Sequence, residues 1–265
     1  MPEIKINRAQ FEIEATLDGA NPEARQVQIR NAGSGSFTWT AQKKYNNAWL
    51  RLTPVTGKDG DDLTIEFNIA NLRFGDYHEL IRIDASGSIN KTVDLPVTLK
   101  MCPGKFVYEI EAEKSPSLPN IGWSIAENNG ALCIQSTKNN LELPDENTRI
   151  DYEFDVPDGV EYVSAFAEID MIPERKKISF WAMVNGYDLC PWDYIYPTNK
   201  GWFRSWVYHK MRDEQHTFVV IPGKNTLNLS SRERGGFINW LVITNDPDIN
   251  IDTYRFGTQK KEGIR

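Results

Sequence analysis

Apolar and polar residues alternate along almost the whole chain, with hardly any helical periodicity between them. Phe11, Ile13, Ala15 and Leu17 alternate, as do Leu63, Ile65, Phe67 and Ile69, then Val93, Leu95, Val97 and Leu99. A period of two places such residues on one face of a pleated strand. Turn signals separate the runs, at Asp18-Gly19, Asn21-Pro22, Thr56-Gly57, Asp59-Gly60 and Ser86-Gly87. About seven short strands at that spacing in roughly the first hundred residues predict an immunoglobulin-like sandwich. The Cys…Trp…Cys signature of true immunoglobulin domains is absent, so the pattern supports the architecture only. Between Val27-Ile29 and Phe37-Trp39 lies Asn31-Ala32-Gly33-Ser34-Gly35-Ser36, which reads as an antiparallel turn between two strands.

Met101-Cys102-Pro103-Gly104 marks a boundary, where a strand ends and Pro-Gly punctuates the chain. Alternation then resumes at Phe106-Ile110, Ile150-Val156, Val163-Ile169 and Ile178-Val184, with further runs near Trp206, Phe218, Leu227 and Ile238-Thr244. Some eight or nine strands predict a two-sheet jelly roll. The chain is therefore all-β, with an immunoglobulin-like sandwich over 1–102 and a jelly roll over 103–247. Residues 248–265 read as a polar tail or linker. No internal repeat of fixed period appears.

Composition narrows the function classes. Apolar content of 40% and charged content of 25% describe a globular, soluble chain. A formal net charge of −7 without a Lys/Arg cluster argues against nucleic acid. Cys102, Cys133 and Cys190 form no Cys-x-x-Cys pair, so they read as buried free thiols. No apolar run approaches the ~20 residues that span a bilayer. Met1 to Asn7 lacks the regions of a signal peptide, so the chain is either cytosolic or a piece of an exported chain; the second is the expectation, secreted or on the cell surface of a bacterium.

Specific wording adds a resemblance. Ile29-Arg30-Asn31, Gly33-Ser34-Gly35, Thr38-Trp39-Thr40-Ala41, Trp49-Leu50, Gly75-Asp76-Tyr77 and Leu95-Pro96-Val97-Thr98-Leu99 make the first block resemble the BACON-type domain. That bacterial immunoglobulin-like module accompanies carbohydrate-active proteins, often as a spacer. Trp39 and Trp49 sit in alternating strands and read as core rather than as sugar platforms. The second block resembles carbohydrate-binding modules of families 6 and 35. The carriers are Ile110-Glu111-Ala112-Glu113, then Gly223-Lys224-Asn225-Thr226-Leu227-Asn228-Leu229, then the run from Gly235 to Thr244.

Glu111 and Glu113 lie two apart on the expected opening strand and so share a face, where they repel unless a cation intervenes. The resemblance implies a structural Ca2+ held by Glu111, Glu113 and Asn239, which pins the first strand to the last. The other reading is a pair of solvated carboxylates. Sugar recognition needs a flat apolar face beside hydrogen-bonding groups. Trp192, Tyr194, Tyr196, Trp202 and Trp206 supply aromatics in a segment broken by Pro191, Pro197, Asn199 and Gly201. Trp202, Trp206 and Tyr208 alternate, so this row either stacks sugars or faces the interior.

Two departures from the family pattern stand out. Its Gly-Trp-x-x-Trp element is one residue longer here, Gly201 to Trp206, and its ligand-binding Asn is Phe237. Asn245 and Asp246 are candidate replacements. Catalytic readings lack support: His78, His209 and His216 have no metal spacing on a helix, and no Gly-x-Ser-x-Gly elbow or phosphate loop occurs. Asp170, Glu174, Asp188 and Asp193 read as solvated surface rather than a glycosidase pair. The expectation is a non-catalytic module pair that binds a polysaccharide or oligosaccharide beside an appended catalytic domain. The alternative is a structural or adhesive pair without glycan binding.

Overall fold

The computed structural model describes every residue except 18, 176, 196–200, 210–213 and 258–265, and every described side chain except those of 177, 194 and 195. The described residues are all-β, with short 3-10 turns and no α-helix. The chain divides into two compact units, Met1–Gly104 and Lys105–Arg265.

The first unit contains β1 (Ile4–Ile6), β2 (Phe11–Thr16), β3 (Arg25–Asn31), β4 (Thr38–Lys43) and β5 (Leu50–Thr53). It continues with β6 (Thr56–Lys58), β7 (Asp62–Phe67), β8 (Gly75–Ser86) and β9 (Thr92–Cys102). One sheet has the order β1-β3-β7-β5 and the other β2-β9-β8-β4-β6. Their inner faces enclose a core that includes Val27, Ile29, Trp39, Trp49, Leu63 and Ile81. Trp39 and Trp49 are both buried there. Trp39 donates its indole N–H to the Lys58 carbonyl at 3.0 Å. Gly57 lies flat under that indole, where a Cβ would overlap the ring.

The Gly33-Ser34-Gly35 turn departs from the sequence expectation. It joins β3 in one sheet to β4 in the other, so it is a crossover between layers rather than a hairpin. Asn31 shapes it, accepting from the Gly33 N–H at 2.9 Å and donating to the Gly35 carbonyl at 2.7 Å. Gly35 supplies the positive φ, +90°.

The second unit begins with β10 (Val107–Glu111), β11 (Trp123–Asn128), β12 (Ala131–Ser136), β13 (Arg149–Val156) and β14 (Tyr162–Met171). It continues with β15 (Lys177–Val184), β16 (Tyr187–Ile195), β17 (Phe203–Trp206) and β18 (Tyr208–His209). It ends with β19 (Glu214–Gln215), β20 (Thr217–Val219), β21 (Gly223–Ser231) and β22 (Gly236–Thr244). A seven-stranded sheet runs β11-β12-β22-β14-β17, with β10 also on β22 and β20 also on β14. The facing sheet runs β13-β21-β15-β16-β18-β19. Between them Trp123 stacks on Phe180 at 5.4 Å, and Phe180 meets Trp192 at 5.4 Å. Gly236 starts β22 against Ile178 and Phe180, leaving no room for a side chain.

The register also orders the outer face of the seven-stranded sheet, because directly opposed residues point the same way. Glu109, Val242, Phe166 and Trp206 form one row across four strands. Glu111, Trp240, Glu168 and Arg204 form the row on one side of it. Val107, Thr244, Ser164 and Thr217 form the row on the other.

The segment read as a polar tail covers part of this face. Tyr254 is buried with Phe166, Trp240 and Val242, and Ile249, Ile251 and Phe256 pack against them. Phe256 stacks on Trp240 at 5.2 Å. Glu109 accepts from the Tyr254 hydroxyl and the Gly257 N–H, each at 2.8 Å. Arg204 donates to the Ile251 and Asp252 carbonyls, each at 2.7 Å. Burial, then the Glu109 carboxylate, pushes the Tyr254 phenol well above its usual range. Through Gly257 the tail is thus a strap belonging to the fold, because the aromatic outer row needs cover from water. Ending the chain after Pro247 should lower stability by roughly 2–5 kcal/mol, the burial of a few large apolar side chains, as read by urea denaturation against the full chain.

Candidate functional site

The register gathers the loops of the second unit at one end. Phe237 lies opposite Gln135 and Asp170, Phe203 opposite Ile169, Lys177 opposite Ile195 and Phe180 opposite Ser231. Ser136, Met171, Ile195, Phe203, Ser231 and Gly236 therefore all stand at the same end of their strands.

A polar and aromatic cluster stands there on the outer face of the six-stranded sheet. Arg232 follows β21, and its Nη1 donates to Asp193 Oδ1 at 2.5 Å and Ser179 Oγ at 2.8 Å. Ser179 Oγ in turn donates to Glu233 Oε2 at 2.8 Å. The guanidinium lies 4.8 Å from the centre of the Trp181 ring, a cation–π contact. Trp181 donates its indole N–H to the Asn140 carbonyl at 2.7 Å, which brings the 137–148 loop over it. Trp181 is consequently 6% exposed, while Arg232 and Asp193 keep accessible edges. Arg232 Nε is buried and has no acceptor among the described residues. The arrangement presents charged donors and acceptors suited to hydroxyl groups.

The expected aromatics divide. Trp192 is 0% exposed and cannot stack a sugar: it lies opposite Phe180 on the inner face and donates to Ser205 Oγ at 3.4 Å. Tyr194 lies opposite Ile178, and its side chain falls outside the described residues, as does the whole of Tyr196. Trp202 is half-buried at the loop end, just before β17, and its buried indole N–H has no acceptor among the described residues. Trp206 lies on the outer face of the seven-stranded sheet, edge-on to Phe166 at 4.9 Å. Asn245 is not with the loops at all. It follows β22, nine residues beyond Gly236 at the opposite end, and accepts the Phe106 N–H at 2.8 Å.

The proposed metal ligands are also rearranged. The strand ends at Glu111, and Glu113 lies in a 3-10 turn, Ala112–Lys114, so the two do not share a strand face. Lys114 Nζ is 3.9 Å from Glu111 and 3.8 Å from Glu113. Asn239 is the extra residue of a β-bulge opposite Glu168 and Ile169, and it donates to Glu168 at 2.7 Å. Glu111 nevertheless lies opposite Trp240, the neighbour of Asn239. The Glu113 side chain is 12% exposed, and among the described residues Lys114 is its only ionic partner. Burial, with Glu113 and Asp170 nearby, pushes the Cys133 thiol up to about 11. The donor chemistry thus fits a hard cation, although among the described residues no group of three His, Cys, Asp or Glu is arranged to hold a metal.

Sequence reasoning missed Ser179, Trp181, Arg232 and Glu233, and set Asp193 aside as surface. The available signal was the odd-numbered residues of Ile178-Val184, which the alternation turns outward while Ile178, Phe180 and Ala182 enter the core.

No family model matches the chain, and no curated protein matches it. Solved structures similar to it include the C-terminal CBM6 of LamC, a marine laminarinase from Zobellia galactanivorans. That match has 17% identity and a TM-score of 0.37, covering 52% of this chain and 99% of that one. A GH26-CBM35 β-(1,4)-mannanase from Podospora anserina matches at 12% identity and a TM-score of 0.38, covering 56% of this chain and 30% of that one. The ASH/PapD-like domain of human CEP192 matches at 13% identity and a TM-score of 0.33, covering 38% of this chain and 87% of that one. Among the described residues no helix is long and apolar enough to cross a membrane.

Arg232 and Asp193 form one unit, so their replacements should not be additive. Arg232→Ala and Asp193→Asn should each destabilise the chain, and the double variant should show a coupling of roughly 0.5–3 kcal/mol in a denaturation cycle.

Proposed function

We propose that the chain is a non-catalytic glycan-binding protein, a BACON-type sandwich followed by a module of the family 6 and 35 kind. It would serve a secreted or surface-bound bacterial system that degrades polysaccharides, holding substrate near an appended enzyme and raising its effective concentration. The observation that carries this reading is the half-buried Trp202 at the loop end, where Arg232 and Asp193 keep accessible polar edges. An indole offers an apolar surface to a sugar ring, and paired charges offer partners to its hydroxyls. The enclosure of Trp192 and the presence of Phe237 favour the second reading, a structural or adhesive pair that binds no glycan.

Affinity electrophoresis through gels of neutral polysaccharides separates the two. The full chain should be retarded by at least one, and Trp202→Ala and Arg232→Ala should weaken retention by roughly tenfold, about one lost aromatic or charged contact. Migration unretarded in every gel favours the structural reading.

The same reading includes a structural calcium ion held by Glu111, Glu113 and Asn239. The ion would offset the crowded carboxylates and tie the end of β10 to β22. A ligand present at a hundred times its Kd stabilises the folded state by about 2.7 kcal/mol. Calcium should therefore raise Tm, EGTA should lower it, and Glu113→Gln should abolish the difference. An EGTA-insensitive Tm rules the ion out.

A further inference from the structure

Beyond the strap, the outer face of the seven-stranded sheet stays open at the end carrying the hydroxyl row. Tyr162 and Val219 lie directly opposite each other on β14 and β20, 56% and 61% exposed. Two residues along, Ser164 faces Thr217 across the same pair of strands and Thr244 on the other side. Val163 and Phe218, between them in sequence, point into the core. The pleat thus sets an exposed phenol and an isopropyl group beside a line of hydroxyls. Tyr162, Ser164, Thr217 and Thr244, with Gln215, Asp246 and Pro247, border a depression of about 380 Å³, within the size range of small-ligand sites.

We infer that this depression is a second binding site, which takes a pyranose ring of a neutral saccharide. The phenol of Tyr162 offers a flat surface to the C–H face of a sugar. Ser164 is only 9% exposed, yet its hydroxyl has no hydrogen-bond partner among the described residues. Ser164 lines the depression, so a ligand hydroxyl can supply that partner. Thr244 is already engaged, donating to the Phe106 carbonyl and accepting from the Asp246 N–H. Asp246 meets Lys105 and accepts the Asp248 N–H through Oδ1, which leaves Oδ2 to accept a sugar hydroxyl.

The lining residues include one carboxylate and no Lys or Arg. Asp246 is ion-paired to Lys105, which also pairs with Asp248, so the lining offers no unpaired cation to an acidic sugar and fits a neutral ring. The site extends the glycan-binding reading to the opposite end of the unit, far from Trp202 and Arg232, so the two can fail separately.

The test is saturation-transfer NMR on the full chain, with the methyl glycosides of glucose, mannose, galactose and xylose as separate probes and methyl glucuronide as the charged control. To remove the share of the loop end, the comparison is made in the Trp202→Ala background, where at least one neutral glycoside should still show transfer. Adding Tyr162→Ala to that background should weaken the remaining transfer roughly tenfold, the loss of one aromatic contact, and adding Ser164→Ala should weaken it as well. Tyr162 is exposed, so its replacement leaves the core intact. Undiminished transfer on adding Tyr162→Ala overturns the site. Absence of transfer from all four neutral probes overturns it too, and stronger transfer from the glucuronide overturns the ligand class.

Discussion

Everything in this molecule depends on the pleat of its strands, which turns successive side chains to opposite faces. Each sheet must give one face to the sandwich interior, and that face has to be apolar. The other face is left for whatever else the chain does. In the second unit the consequence is visible residue by residue. Phe180 and Trp192 enter the core, while Trp181 is turned out, under Arg232 and the 137–148 loop. An aromatic residue here is structural or functional according to its parity, not its type.

The outer face of the seven-stranded sheet shows how the remaining surface is divided. Its middle row is too apolar to face water, and the strap from Ile249 to Gly257 covers it. Two polar anchors hold the strap in place, the Glu109 carboxylate and the Arg204 guanidinium, both on outer rows of the sheet itself. Of the hydroxyl row, Thr217 is exposed while Ser164 and Thr244 are buried, and Tyr162 beside it is exposed.

The fold was largely legible in the sequence, because alternation survives in any strand with one buried face. Val163-Ile169 and Ile178-Val184 are examples. The candidate site was much less legible, for reasons that differ by residue. Trp192 follows Pro191, which resembles a loop signal, but β16 runs through it, and Trp192 lies opposite His209 of β18. Glu113 looked like a strand residue, whereas the backbone turns after Glu111. Tyr254 and Phe256 were hidden in a polar stretch whose apolar residues are spaced for draping over a sheet rather than for pairing within one. Arg232 and Asp193, 39 residues apart, meet only because β21 pairs with the hairpin of β15 and β16. No local pattern reports such a meeting.

The β-bulge at Asn239 has a wider effect than its one residue suggests. Ile238 before it and Leu241 and Ile243 after it all lie in the core, so inward residues change from even to odd numbers across the bulge. The last strand thus runs in two phases. Trp240, Val242 and Thr244 reach the outer face only because the phase slips at Asn239. Were the strand to keep every residue and pair without the bulge, the faces of its second half would be exchanged, sending Trp240 and Val242 inward and Leu241 and Ile243 out. Loss of Asn239 alone would instead leave Ile238 inward and Trp240 outward in regular alternation. The core, the strap and the hydroxyl row thus depend together on the phase of this one strand.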